Sequence, residues 1–147
     1  AQDLLREKYD VAADVWSVTS YKELHRDAQE TERWNVRHPN AEPRVPYVTQ
    51  CLRDAPGPVV AATDYIKALP ETIGRWLPEG SVVLGTDGFG RSDGREALRQ
   101  FFEVDAAHIA LAALAALAWE KAIAPRVVDQ AIAEFGIDPD KPNPVSS

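Results

Sequence analysis

The residues best placed to do chemistry lie between Thr86 and Asp93. A predicted strand runs into Thr86-Asp-Gly-Phe-Gly-Arg-Ser-Asp93. It carries backbone amides and small polar groups to the carboxyl edge of a sheet, the edge at which open α/β folds bind ligands. Ser92 or Asp93 can cap the helix that follows, leaving Arg91 to grip a carboxylate or phosphate. On that reading Asp87, Phe89, Arg91, Ser92 and Asp93 form a candidate partner or anion loop. The same residues also suit a structural turn, in which Gly88 and Gly90 supply the geometry, Phe89 packs, and Arg91 pairs with Asp87 or Asp93. The residues alone leave both readings open.

Other chemistries find little support. Gly85, Gly88 and Gly90 do not have the spacing of a phosphate-cradling Gly-x-Gly-x-x-Gly turn, and the lysine of a Walker loop is missing. His25, His38 and His108 lie far apart in sequence without a recurring metal-ligand spacing. His25 is expected on a solvated helix face, His38 in a proline-rich loop and His108 near a helix start. No Gly-x-Ser-x-Gly elbow accompanies a histidine and a carboxylate. The single cysteine, Cys51, reads as a small apolar residue on a helix rather than a nucleophile. It rules out an internal disulfide and a cysteine zinc cluster, and fits a reducing cytoplasm. No catalytic, cofactor-binding or metal-binding residue is assigned.

The elements that must position the loop follow from pattern. Asp3–Tyr9 is helical in composition. Val11–Val18, rich in β-branched and aromatic residues, reads as a buried strand. Ser20 with Glu23 makes a capping box for a helix running through Leu24 and Ala28 toward Trp34. Trp34 itself is the tryptophan least expected in the core. Prolines 39, 43 and 46 punctuate a loop, and Pro46 opens a short helix through Val48 and Leu52. Val59–Ala62 is a second strand. The next helix bears Ile66, Leu69, Ile73, Trp76 and Leu77, and Pro70 must kink or divide it. Ser81–Gly85 is a third strand. Beyond the loop come a short helix from Arg95 to Phe102, an alanine-rich helix from about Asp105 to Ala124, and a last helix opened by Pro125 and ended by Gly136.

Strands separated by helices imply parallel pairing and right-handed crossovers, so the expected class is α/β, a three-layer α/β/α sandwich with a mostly parallel sheet. Residues 1–137 form the domain and residues 138–147 a C-terminal tail. At 147 residues, 45% hydrophobic and 27% charged, the composition is that of one globular domain. No apolar run is expected to reach the ~20 residues of a membrane span, and no basic-then-apolar leader opens the chain. The net charge of −7, without a lysine or arginine run, weighs against nucleic acid and anionic membranes as partners and favours a basic protein.

Longer strings carry a family resemblance. Val15-Trp-Ser-Val-Thr-Ser20, Glu32-Arg-Trp-Asn35, Arg44-Val-Pro-Tyr47, Asp64-Tyr65 and Val83-Leu-Gly-Thr-Asp-Gly-Phe-Gly-Arg-Ser-Asp93 resemble the bacterial homodimeric pyruvate dehydrogenase decarboxylase family. So do Arg95-Glu96, Leu98-Arg99, Phe102-Glu-Val-Asp105, Ala131-Ile-Ala133, Asp140-Lys141 and Asn143-Pro144. Phe89-Gly90, Ser92 and Phe102-Glu103-Val104 are also similar to transketolase C-terminal domains. The resemblance implies a thiamine diphosphate- and magnesium-dependent enzyme that decarboxylates pyruvate and acetylates a lipoyl group. The family's Gly-Asp-Gly…Asn-Asn motif is not among these residues, so the chain is expected to be inactive by itself. What the resemblance leaves it is a structural role. It would pack on the rest of its subunit and dimer mate, and receive the subunit-binding domain of the dihydrolipoyl acetyltransferase. The family's first strand would lie outside this chain, leaving a sheet edge open. An acidic face with Glu96, Glu103 and Asp105 suits a basic partner; Glu30, Glu32 and Asp93 are further candidates. The alternative is a regulatory anion or small-molecule site in the 86–93 loop.

Overall fold

An alanine-rich helix organises the structure, a computed structural model that describes residues 1–146. The helices are α1 (Gln2–Tyr9), α2 (Tyr21–Arg37), α3 (Tyr47–Leu52), α4 (Ala68–Glu71), α5 (Arg95–Phe101), α6 (Ala106–Trp119) and α7 (Pro125–Phe135). The strands are β1 (Val60–Ala62) and β2 (Val82–Leu84). Helix α6 is apolar at nearly every position, which in a globular chain marks a central helix. It packs against α1, α7 and both strands. Leu5, Ala110, Leu114 and Ala131 form its buried cluster. The small alanines let α1 and α7 approach closely, and Leu114 fills the space between them.

Helix ends follow the local chemistry. Ser20 Oγ accepts the Glu23 amide at 3.2 Å, capping α2. Pro125 opens α7 and Gly136 closes it with a φ of 65°. Asp27 on α2 accepts the Tyr47 amide at 2.7 Å and so ties down the start of α3. Tyr9 Oη donates to Glu134 Oε2 at 2.8 Å, and Lys8 pairs with the same carboxylate, joining α1 to α7.

β1 and β2 pair in parallel, with Val60 opposite Val82, Ala61 opposite Val83 and Ala62 opposite Leu84. Among the described residues these are the only strands. Val11–Val18, expected as a buried strand, forms no strand, and Val15 and Trp16 are 75% and 56% exposed. β-propensity reports how a side chain fits a pleated, half-buried surface. With no neighbouring strand the outer part of the segment, Asp14 to Val18, has no pleated surface to fit and is exposed. The segment's ties to the body lie at its start: the Val11 amide donates to the Leu5 carbonyl at 3.1 Å, Gln2 Nε2 donates to the Ala13 carbonyl, and Val11 and Ala13 pack against the buried cluster.

One further expectation holds and three change. As expected, the helix bearing Pro70 is divided, into the short α4 and a 3-10 turn at Gly74–Trp76. α6 stops at Trp119, because the Lys121 and Ala122 amides fold back onto the carbonyls of Ala118 and Leu117. His25 is not solvated: it is half-buried, with its ring centroid 5.7 Å from that of Trp76. Arg95–Trp119 taken as one stretch is long and apolar enough to cross a membrane, against the expectation of no such run. The chain breaks it at Phe102–Asp105 and uses its second half as the core helix.

The surface is large for the mass. The chain exposes 9977 Å², whereas a compact monomer of 16.2 kDa exposes about 7,500 Å².

Candidate functional site

The 86–93 loop springs from the end of β2 and is held from below. Gly85 sits against the 65–67 turn: a Cβ there would fall 2.7 Å from the Tyr65 carbonyl oxygen and 2.9 Å from the Lys67 nitrogen. That approach admits only glycine. The Thr86 amide donates to the Tyr65 carbonyl at 2.9 Å, and Thr86 Oγ1 to the Asp64 carbonyl at 2.7 Å. Asp87 Oδ1 accepts the Lys67 amide at 3.0 Å. Asp87 is therefore an anchor of the loop and not a group presented to solvent.

Beyond Asp87 the loop turns outward. Phe89 is 84% exposed, so it does not pack as the structural reading expected. Arg91 pairs with neither Asp87 nor Asp93 among the described residues. Its guanidinium lies 4.0 Å from the centroid of the Phe101 ring, a cation–π contact. The cap expected from Ser92 or Asp93 is absent. Gly94 is the N-cap of α5, without a side-chain cap, and Asp93 Oδ1 instead accepts the Gly94 amide at 2.6 Å. Ser92 is exposed.

The three acidic-face residues part company. Glu96 is exposed on the first turn of α5. Glu103, with φ 61°, turns to Lys141 Nζ at 3.1 Å. Asp105 caps α6, accepting the His108 amide at 2.9 Å and facing His108 Nδ1 at 2.8 Å. Partial burial pushes the Asp105 carboxyl up, but the His108 amide and ring together outweigh it, and the net direction is down. Glu96 and Asp105 do share an open cleft of about 790 Å³ between β1, α5 and α6. Asp64 and Arg99, paired at 3.0 Å, line it too. That pair was invisible in the sequence, where its members stand 35 residues apart.

Of the remaining candidates, Glu32 accepts the Trp76 indole N–H at 2.9 Å and pairs with Arg75, and Glu30 is exposed. Trp34 is half-buried, stacked on His38 at 4.1 Å between centroids, with the Arg44 guanidinium 3.8 Å from its ring. Cys51 is half-buried beside Tyr47. Among the described residues no group of three or more His, Cys, Asp or Glu side chains is arranged to hold a metal ion. The donor set thus does not fit the magnesium of a diphosphate cofactor, and no step of such chemistry is assigned to these residues.

A braced loop at the carboxyl end of a parallel β pair, with helices packed around it, is the arrangement of an α/β domain. A family model for the transketolase-like TK C-terminal domain matches residues 1–105, and the chain belongs to that family. Among individual proteins, it is 53% identical over 99% of its length to the pyruvate dehydrogenase E1 component of Pseudomonas aeruginosa, covering 17% of that protein. It is 52% identical over 98% of its length to the E1 component of Escherichia coli, covering 16%, and 47% identical over 94% to that of Mycolicibacterium smegmatis, covering 15%. The chain spans about a sixth of the length of the relatives it matches.

Proposed function

We propose that this chain is the C-terminal scaffold and docking domain of a thiamine diphosphate-dependent pyruvate dehydrogenase component, acting in the cytoplasm and supplying no catalytic group itself. The whole enzyme would oxidatively decarboxylate pyruvate and pass the acetyl group to a lipoyl group of the dihydrolipoyl acetyltransferase. Cofactor and magnesium would be held by other parts of the longer polypeptide. Residues 1–137 are the domain proper and residues 138–147 its tail.

One observation carries this reading: the chain exposes about 2,500 Å² more than a compact monomer of its mass. A standard protein interface buries about 800 Å² per partner. The surplus includes the exposed Val15, Trp16 and Val18, the free outer edges of β1 and β2, and the exposed Tyr65, Ile66 and Phe89. A further strand joining this sheet would complete a three-layer α/β/α sandwich, and the rest of the subunit and its dimer mate would cover the apolar side chains. Phe89 and Arg91, raised on a loop anchored by Asp87 and flanked by Ser92 and Asp93, form one contact point. Glu96, Asp105 and the neighbouring cleft, with Glu103 behind them, form an acidic surface for the basic subunit-binding domain of the acetyltransferase.

Complementation tests this. The Pseudomonas aeruginosa relative is made without the portion similar to this chain, and the chain is added in trans. Stoichiometric association with recovery of pyruvate decarboxylation is expected, with no turnover by the chain alone. A folded chain that neither associates nor restores activity overturns the reading. Calorimetric titration with the acetyltransferase's subunit-binding domain then tests docking, which should weaken as salt rises.

The anion reading keeps one specific support: the Arg91 guanidinium has no carboxylate partner among the described residues. Titration with inorganic phosphate against the chain and its Arg91→Ala variant decides it. Saturable binding lost in the variant supports an anion site, and no binding in either removes it.

A further inference from the structure

We propose that the C-terminal residues 138–146 act as a latched strap that holds the 86–91 loop in its presented conformation, with Lys141 as the latch. Two contacts, one at each end of the strap, support this.

The latch closes on the end of α5. Lys141 Nζ donates to the Gln100 carbonyl at 3.2 Å, to the Phe101 carbonyl at 2.7 Å and to Glu103 Oε1 at 3.1 Å. Three N–H groups meet three oxygens, so the ammonium is satisfied within the fold. Both carbonyls belong to the last turn of a helix, where a cation is favoured electrostatically as well as by hydrogen bonding; that of Gln100 also accepts the Glu103 amide at 3.3 Å. Glu103 takes a left-handed φ of 61° and its carboxylate completes the set. Lys141 Nζ also lies 5.4 Å from the centroid of Phe101, the ring that the loop's own Arg91 approaches at 4.0 Å. Phe101 is thus a common seat for strap and loop.

The far end of the strap rests on the loop's turn. A Cβ at Gly88 would come 2.8 Å from the Pro144 carbonyl oxygen and 3.1 Å from Val145 Cα. Gly88 has φ +103°, so both the conformation and the approach demand glycine. Around the two contacts the strap is stiffened locally. Asp138 accepts the Asp140 and Lys141 amides, and Asn143 those of Val145 and Ser146. Pro139, Pro142 and Pro144 restrict the rest of the backbone.

The loop is therefore gripped from below through Gly85, Thr86 and Asp87 and from the side by the strap, while Phe89 stands clear at 84% exposure. An aromatic side chain presented on a braced backbone loses little conformational freedom when a partner covers it. The value of that order to a partner rests on the docking reading. The order itself does not, and it can be measured in the chain alone.

Two variants test the coupling from opposite ends by amide hydrogen exchange. Lys141→Met removes the ammonium and keeps an unbranched stem. The Thr86 and Lys67 amides, which report the loop's seating, should then exchange about tenfold faster or more, since hydrogen bonds to a charged group are lost. Trypsin should cut faster after Arg91, while the Leu114 amide stays unchanged. If the Thr86 and Lys67 amides and the Arg91 cut hold at their original rates in a folded Lys141→Met variant, the proposal is overturned. If that variant instead unfolds as a whole, Leu114 accelerates too and Gly88→Ala decides. Its new methyl group pushes on Pro144 with Lys141 intact, so the Ser146 and Lys141 amides should speed up without Leu114. A strap unmoved by Gly88→Ala overturns the proposal.

Discussion

The 86–93 loop and the Val11–Val18 segment both expose an aromatic ring, Phe89 in one and Trp16 in the other, and they are held in opposite ways. The loop is tied to the 64–67 turn by its backbone and by Thr86 and Asp87, stacks Arg91 on Phe101, and meets the tail at Gly88. The Val11–Val18 segment has residues suited to a strand and no strand beside it; it is tied only at its start, by the Val11 amide to Leu5, by Gln2 to Ala13 and by the packing of Val11 and Ala13, and Val15, Trp16 and Val18 lie open. Exposure alone therefore does not define a binding element. A ring on a braced backbone is a preformed anchor. A ring on an unpaired segment has no such support, and completion of the sheet by pairing is what the proposed function supplies it.

The most severe way to break this contrast is to remove the scaffold under both regions. Leu114 is fully buried on α6, so Leu114→Ala should cost about 2–5 kcal/mol. Urea denaturation should show a lower midpoint with little change in slope; an unchanged midpoint would mean that α6 is not the core.

Gly85→Ala acts on the loop alone. Its methyl group would strike the Tyr65 carbonyl and the Lys67 amide, so about 1–3 kcal/mol should be lost through overpacking. The drop in melting temperature should come with faster exchange at Thr86 and none of note around Ala13. Equal loosening of both regions would erase the distinction between them.

A third test uses pH. The Asp105 carboxyl is held below its ordinary value in the folded chain, so its stabilisation is complete above the unfolded-state value and is lost as pH falls through the folded one. Asp105→Ala should cost about 1 kcal/mol at neutral pH, the worth of an N-cap, and should flatten the acid limb of the stability curve. A variant with an unchanged acid limb would show that the Asp105 carboxyl is not held down in the folded chain.

The smallest effects sharpen the contrast most. Phe89→Ala and Trp16→Ser each remove an exposed ring, and each should alter chain stability by less than about 0.5 kcal/mol. They should differ in assembly with the truncated relative. Phe89→Ala weakens association with the fold of the complex intact, whereas Trp16→Ser also lowers its melting temperature, because that ring would enter a completed sheet. Identical behaviour of the two variants in the complex would contradict the comparison.

Much of the local structure was legible from residues. Ser20 and Glu23 announced the start of α2, and Pro125 and Gly136 bounded α7, because caps depend on neighbours a few positions away. The position of the loop was legible too, since a strand followed by Asp-Gly-Phe-Gly can hardly continue as a strand. What the loop's side chains do was not. Arg91 offered two carboxylates nearby in sequence and chose a ring supplied by α5. Asp87 offered a charge to solvent and spent it on the Lys67 amide, whose approach depends on how β1 and β2 pair. Lys141 gave no signal beyond its charge.

The chain's own sequence determined the helix caps, the breaks at proline and glycine, the apolar character of α6 and the presence of a turn after β2. Those follow from backbone sterics and hydrogen bonding over a few residues, which amino-acid type controls directly. Tertiary structure decided that Val11–Val18 would remain unpaired, that His25 would pack against Trp76, that Asp64 would meet Arg99, and that Lys141 would close on α5. Each of these depends on whether a distant group arrives to satisfy a backbone edge, a ring or a charge. No local pattern encodes that arrival, because the free energy that decides it is shared by both ends of the contact.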